Sequence, residues 1–345
     1  MRLTFVLPGF ITVPMGGVKV VVEHAKRLAA RGHQVTLVYP LRLGSALNYY
    51  LKNFLSNRLG APEHLYYTPQ APVNVLVVRN LSAKYLPAGD VIIACGWQVA
   101  QAVAAAPTEC GRKFYFLQSL ETYFRQKKQV LATYQLPLTK IALSQWIIDE
   151  LQRIGVRALG PLGNAINREE FFREDERVRD YDVIFFYHHR PIKGAREGLK
   201  ILKQLKHQRP QVRVVIVAPR KPLHFIPHWC ELIIRPTTTE LRQLYNRSKI
   251  LLLTSKWEGW ALPPMEALSC GCAVVAFANR GVKEYLVDRQ NALLAELGQV
   301  EQLFKNLCLL LDDDNLRHQL AESGLKTVAQ FNWDTLVTRL EQFLQ

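Results

Sequence analysis

Hydrophobic residues alternate along this chain between short continuous runs and stretches with helical spacing, and the order of the two repeats. Leu3–Leu7 is an apolar run, Val18–Arg31 places apolar residues on one helical face and closes at Gly32, and Gln34–Tyr39 is apolar again. That is the signature of a β-α-β unit, because parallel strands are buried on both faces while the crossover helix buries only one. Further strands are expected at Val73–Val78, Val91–Ala94, Lys113–Leu117 and Ile141–Leu143, with helices between them. After a charged stretch with little apolar periodicity, 167–182, the pattern restarts. Val183–Tyr187, Val212–Ala218, Leu232–Arg235, Lys249–Thr254 and Ala273–Ala276 read as strands, and a helix is expected after Gly194 as far as about Arg209. With 345 residues the chain exceeds the size at which one core stops growing, so the two series read as two α/β domains, 1–165 and 166–325, followed by a terminal helical segment, 326–345.

The densest chemistry lies in Ser255–Gly271, SKWEGWALPPMEALSCG. Pro263 and Pro264 suit the first turn of a helix, where proline's fixed φ and missing N–H cost least, and Gly271 is a natural stop. Glu258 then belongs to the loop after a buried strand and Glu266 to the first helical turn. Backbone N–H groups and the helix dipole at such a start favour a diphosphate, and carboxylates on either side offer acceptors to sugar hydroxyls.

This segment resembles the retaining GT-B glycosyltransferases of family 4, whose second half carries E-G-aromatic-small-L-P-x-x-E-A. The resemblance implies two Rossmann-like domains facing across a cleft, with a C-terminal helix crossing back to the first domain. It assigns Glu258, with Gly259 and Leu262, to the donor sugar and diphosphate, and Glu266 to the ribose hydroxyls. Lys193 in HHRPIKG corresponds to the family's diphosphate-binding Lys. Arg190 is its expected partner, although it lies closer to the Lys than the family's Arg does. Gly16 and Gly17 correspond to a Gly-Gly loop that faces the donor from the first domain. NRGVKE from Asn279 resembles the family's G-G-x-x-E turn with one glycine lost: Gly281 and Glu284 match, which makes Glu284 a donor-binding candidate. Asp90–Gln98 resembles a strand end at the cleft, which makes Trp97 an acceptor-side candidate. Lys113–Phe124 resembles a segment of bacterial rhamnosyl-type transferases. Other members place a histidine near Gln118; here Glu121 is the polar candidate on the acceptor side, the alternative being a solvated loop acid. FNWDTLVTRLEQFL, from Phe331, resembles the family's closing motif.

The implied reaction moves a glycosyl unit from a nucleoside-diphosphate sugar to a glycan or lipid-linked acceptor with retention of configuration. Glu258, Lys193 and Arg190 are its catalytic candidates. No acidic pair stands where a metal would be needed, so neither metal nor cofactor is expected. The six cysteines show no metal or disulfide spacing and suit a reducing cytoplasm. No apolar run reaches membrane-spanning length, and the opening MRLTFVLPGF breaks at Pro8-Gly9, so it reads as a strand and not a signal peptide.

Charge modifies this picture. The net charge is +15, and residues 1–165 hold 18 Lys and Arg against 7 Asp and Glu. A basic first domain suits an anionic membrane surface or an acidic acceptor. Leu43, Leu47, Tyr50, Leu51, Phe54 and Leu55 at helical spacing, beside Lys52 and Arg58, form one docking candidate; Tyr123 and Phe124 with Arg125, Lys127 and Lys128 form another. Core packing and a solvated face are the alternatives. No nucleic-acid-binding motif accompanies the charge, so nucleic acid is not the expected partner. A catalytically silent binding subunit is the rival reading, given the changed Arg spacing, the lost glycine and Gln118.

Overall fold

The computed structural model describes residues 1–9, 15–40, 72–122, 126–174, 178–222 and 225–345. The docking candidates at 43–58 and at 123–125 lie outside the described residues. The chain divides into two compact units, Met1–Gly163 with Val337–Gln345, and Asn164–Leu336.

The first unit is built on a parallel sheet of β1 (Arg2–Val6), β2 (Gln34–Pro40), β3 (Asn74–Val78), β4 (Val91–Ala94), β5 (Arg112–Leu117), β6 (Thr139–Ala142) and β7 (Ala158–Leu159), in the order β3-β2-β1-β4-β5-β6-β7. Its described α-helices before the chain passes to the second unit are α1 (Gly16–Ala30), α2 (Trp97–Ala104), α3 (Lys127–Tyr134) and α4 (Gln145–Arg153). The second unit has β8 (Tyr181–Phe186), β9 (Val214–Ala218), β10 (Cys230–Ile234), β11 (Ser248–Leu253), β12 (Ala273–Phe277) and β13 (Leu293–Ala295), in the order β10-β9-β8-β11-β12-β13, again with parallel pairing. Each is a Rossmann-like order that reverses direction once, between β1 and β4 and between β8 and β11. Such a reversal opens a crevice at the carboxyl ends of the two central strands, because the helices that follow them leave toward opposite faces. The expected strands are present to within a residue or two at either end. β7 and β13 were not among them: they have two and three residues, too short for an apolar run to stand out.

In the second unit the core is the sheet's own side chains, Val183, Phe185, Ile216, Leu252, Val275 and Phe277 among them, closed by Leu202 and Leu205 of α5 (Ala195–Gln208) and by Leu303 and Leu307 of α8 (Val300–Asp312). Two glycines permit close approach. A Cβ on Gly198 of α5 would lie 2.3 Å from the Phe185 ring, and one on Gly324 of α9 (Asp314–Ala329) would lie 2.3 Å from Leu268. The described stretch 167–174 is more than a charged connector, since Phe171 is 1% exposed and Asn246 holds the backbone just after it, accepting from the Glu174 N–H at 2.8 Å and donating to the Phe172 carbonyl at 2.9 Å. One buried aromatic fixes this segment, which no periodicity could reveal.

The last helix, α10, begins at Trp333, and its final residues join the first unit. There Glu341 pairs with Arg31 at 2.7 Å and His33 at 2.9 Å, Arg339 donates to the Pro161 carbonyl at 2.9 Å, and Arg112 donates to the Leu344 carbonyl. The C-terminal helix therefore contacts the N-terminal domain, as expected. All six cysteines are unpaired. No helix among the described residues is long and apolar enough to cross a membrane.

Candidate functional site

Most of the sequence candidates follow the strands at the two topological reversals, while Glu121 follows β5 and Glu284 follows β12. In the second unit the loops after β8 and β11 carry Arg190, Lys193 and Glu258. The first of these loops ends in a 3-10 turn, Pro191–Lys193, and turns into α5 through Gly194 at φ +68. Only glycine fits there, because a Cβ would stand 2.0 Å from the Thr254 carbonyl oxygen. Thr254 fastens the same turn, its hydroxyl donating to the carbonyls of Gly194 at 2.8 Å and Lys193 at 3.2 Å, and the Lys256 N–H donates to the Ile192 carbonyl at 2.7 Å. The outcome is that Lys193 and Glu258, 65 residues apart in sequence, meet: Lys193 Nζ donates to Glu258 Oε1 at 2.6 Å, with 27% and 12% of their side chains exposed.

Glu258 is set from the other side by Gly281. A Cβ at Gly281 would lie 2.6 Å from the Glu258 carbonyl oxygen. The glycine that this chain keeps is thus the one that close approach demands here. Asn279, fully buried, ties the turn together by donating to the Ser255 carbonyl at 2.9 Å and accepting from the Val282 N–H at 3.1 Å. Glu284 closes the same turn and is half-buried.

Gly259, buried, leads into α7 (Leu262–Ser269). Ala261 caps this helix with φ +69, a left-handed conformation that costs an L-residue energy and persists where surrounding contacts hold it. Those contacts are visible: Tyr285 donates its hydroxyl to the Ala261 carbonyl at 2.6 Å, and Trp260 stacks on Tyr285 at 5.7 Å and meets Phe331 edge-on at 5.6 Å. Two expectations change here. Because the helix starts at Leu262, ahead of both prolines, Glu266 lies in the second turn and not the first. With Pro263 and Pro264 at the second and third helical positions, the start also lacks two of its usual N–H donors, which makes it a weaker backbone seat for an anion than expected. Glu266 itself is 5% exposed and accepts a hydrogen bond from the Tyr245 hydroxyl at 3.1 Å.

Beside Lys193 the cations accumulate. Arg190, half-buried, donates its backbone N–H to His188 Nδ1 at 3.1 Å, and His188 stacks on His189 at 4.5 Å. Burial, with the positive charges of His189, Lys193, Arg190 and Arg220, drives the His188 imidazole down to about 3, so it stays neutral. Arg220, on the loop after β9, joins this cluster electrostatically and was missed in the sequence, where nothing but its charge marks it.

In the first unit, Gly16 and Gly17 form the exposed start of α1, and a Cβ on Gly17 would lie 3.3 Å from Gln118 Oε1. Trp97 opens α2 after Gly96, and its backbone N–H donates to Glu121 Oε2 at 3.4 Å. The Glu121 backbone N–H in turn donates to the hydroxyl of Tyr134, the last residue of α3, at 3.2 Å. Among the described residues no group of three or more His, Cys, Asp or Glu side chains could hold a metal ion.

Residues 167–327 match the family described as Glycosyl transferases group 1. Curated relatives align over shorter stretches. An uncharacterized glycosyltransferase of Methanocaldococcus jannaschii is 28% identical over 107 residues, 31% of this chain and 30% of that protein. The O-antigen chain mannosyltransferase B of Escherichia coli is 30% identical over 100 residues, 29% of this chain and 26% of the relative. A D-inositol 3-phosphate glycosyltransferase of Corynebacterium aurimucosum is 32% identical over 102 residues, 30% and 24% of the two chains. The matches therefore span less than about a third of each relative's length. Solved structures align end to end. The UDP-glucose complex of Anabaena HepE superposes with a TM-score of 0.74 at 17% identity, over 100% of this chain and 99% of that one. Staphylococcus aureus TarM, in a complex containing UDP, gives 0.76 at 11%, over 100% of both. These likenesses establish the fold as GT-B.

Proposed function

We propose that this chain, a GT-B protein whose second half carries a glycosyl transferases group 1 domain, transfers a glycosyl unit from a nucleoside-diphosphate sugar to a glycan or lipid-linked acceptor with retention of configuration. The observation that carries the reading is the convergence of Lys193 and Glu258 at 2.6 Å on the β8–β11 reversal, with the buried Glu266 on the helix that follows. A mobile ammonium, a second cation at Arg190 and two carboxylates are what a diphosphate flanked by two sugars needs. HepE and TarM were solved with UDP, which supports the same class of donor here.

In this reading Glu266 accepts hydrogen bonds from ribose hydroxyls, Glu258 with Gly259 contacts the donor sugar, Lys193 and Arg190 hold the diphosphate beside the helix start at Leu262, and Glu284 joins the donor-binding residues on the turn that Gly281 makes possible. Gly16 and Gly17 offer a start of helix without side chains, and Trp97 and Glu121 serve the acceptor. The bond from the anomeric carbon to the phosphate oxygen breaks as the acceptor oxygen attacks the same face. The acceptor's proton passes to the departing phosphate oxygen, so the step balances without a side-chain base. Lys193 and Arg190 stabilise negative charge as it grows on the diphosphate, and no metal is required for that task.

The test is calorimetric titration of wild type and Glu266→Ala with UDP, GDP, ADP and dTDP and their common sugars, in the presence of a chelator. Selective binding is expected, weakened in the variant by about 1.5–3 kcal/mol for each ribose hydrogen bond that the alanine cannot accept. Absence of binding by every member would refute the donor site. The finer expectation of a rhamnose-like donor rests on Lys113–Phe124 alone, and a dTDP-deoxysugar in the panel tests it. Binding without transfer to any acceptor would instead identify a silent subunit.

A further inference from the structure

We infer that Tyr245 is a positioning residue that aims the Glu266 carboxylate at the ribose hydroxyls and so sets the preference for a ribonucleotide donor. The inference rests on the proposed role of Glu266, and goes beyond it to a residue on a different element.

Tyr245 lies near the end of α6 (Thr238–Asn246), 21 residues from Glu266 in sequence. Its hydroxyl donates to Glu266 Oε2 at 3.1 Å, and both residues are withdrawn from solvent, Tyr245 entirely and Glu266 to 5% exposure. A buried carboxylate without donors is costly, and a donor with a fixed direction decides which way the carboxylate plane faces. The ring's direction is itself fixed. Phe186, the last residue of β8, stacks on it at 5.8 Å, and Phe171 meets it edge-on at 6.1 Å. Its backbone is held too. Arg179, half-buried, donates to the Tyr245 carbonyl at 3.1 Å, to the Ser248 carbonyl at 2.5 Å and, through its other terminal nitrogen, to the Cys270 carbonyl at 2.7 Å. One guanidinium thus ties the C-terminal ends of α6 and α7, where the dipoles of both helices favour a cation, and sets the helix bearing Tyr245 against the helix bearing Glu266. Burial, followed by the charge and hydrogen bond of Glu266, raises the phenol well above its ordinary value, so the hydroxyl remains a donor at every working pH.

The bond therefore joins two elements that are each immobilised, and its removal should alter aim rather than fold. Tyr245→Phe deletes the hydroxyl and keeps the ring between Phe186 and Phe171. The experiment compares wild type, Tyr245→Phe and Glu266→Gln in titrations with UDP, GDP and ADP and with the 2′,3′-dideoxy counterpart of whichever binds best, alongside thermal unfolding. Wild type should prefer the ribonucleotide. In Tyr245→Phe that preference should shrink by about tenfold, in the direction of Glu266→Gln, while the affinity for the dideoxy compound stays where it was. Equal losses for both nucleotides, or a lowered melting temperature with the preference intact, would show a packing role only and overturn the inference. If wild type binds nucleotides but does not distinguish the pair, it is the ribose assignment of Glu266 that falls, and the inference with it. If wild type binds none of the nucleotides, the donor site itself is wrong.

Discussion

At the scale of single residues, two charges of the candidate site are already paired with one another. Lys193 is already engaged by Glu258 at 2.6 Å, so under the proposed function a diphosphate would have to compete for the ammonium, and the donor sugar would have to take over the carboxylate. Replacing Glu258 by Gln keeps the shape and removes the competing charge. A partly exposed pair is worth about 1 kcal/mol, so the nucleoside diphosphate without its sugar should bind roughly 5-fold more tightly to Glu258→Gln. Transfer, which needs the carboxylate on the sugar, should fall by far more. Calorimetry and an initial-rate assay on one preparation separate the two effects, and an unchanged or weaker diphosphate affinity would mean that the pair does not compete. These carboxylates and the lysine were legible because each stands in a short contiguous motif whose turn residues betray its geometry. Tyr245 and Arg220 were not. Tyr245 lies one residue from the end of a helix whose Leu241, Leu244 and Tyr245 read as an ordinary core stripe, and its partner is fixed by packing between elements, which no spacing along the chain records.

Elements position these residues through a few glycines whose burden differs, and the structure separates positions that the sequence leaves alike. Gly194 and Gly298 both have positive φ, at +68 and +88, but an added Cβ at Gly194 collides with the Thr254 carbonyl at 2.0 Å while at Gly298 it meets nothing within 4 Å. Gly298→Ala should therefore cost only the left-handed backbone, about 1 kcal/mol. Gly194→Ala should cost about 2–4 kcal/mol and also loosen the turn that carries Lys193. Denaturant midpoints measure the first difference and diphosphate affinity the second; equal costs at the two sites would mean that the Thr254 contact relaxes without effect. The strands were easy to read because buried parallel strands are uninterrupted apolar runs. The start of α7 was misplaced because two prolines mark a first turn without saying which of its positions they occupy. The last helix supplies a pH-dependent link. Burial alone would raise Glu341, but hydrogen bonds from His33 and Arg31 hold it below its usual 4.5. A carboxylate depressed on folding adds stability above the unfolded value and loses it as pH falls through the folded one. Glu341→Gln should then destabilise the chain by about 0.5–1 kcal/mol at neutral pH, and the gap from wild type should close progressively below pH 4.5. A gap that is constant across that range would assign the loss to geometry and not charge.

For the whole molecule, the two Rossmann-like units share a strand plan but not a charge. Residues 1–165 carry 18 Lys and Arg against 7 Asp and Glu, so most of the net +15 lies on the unit to which the acceptor is assigned. A field of one sign does not specify a fold; it raises the local concentration of an oppositely charged partner and speeds encounter. If the acceptor is lipid-linked, the partner that the field should find first is an anionic membrane, where each basic residue near the surface contributes about 1 kcal/mol. Nucleic acid would feel the same attraction, so charge alone does not choose, and it is the proposed lipid-linked acceptor that makes the membrane the partner to test. The expected behaviour is cosedimentation with vesicles containing anionic lipid at low salt, little with zwitterionic vesicles, and release as salt approaches about 1 M, where the screening length contracts to ~3 Å. The donor site, which relies on short contacts in a partly buried crevice, should keep its nucleotide over the same range. Vesicle binding that survives high salt, or that ignores lipid charge, would transfer the role from the basic surface to apolar residues such as those at 43–55, and nucleotide binding that disappears in parallel with the vesicles would show that both depend on the same surface charge.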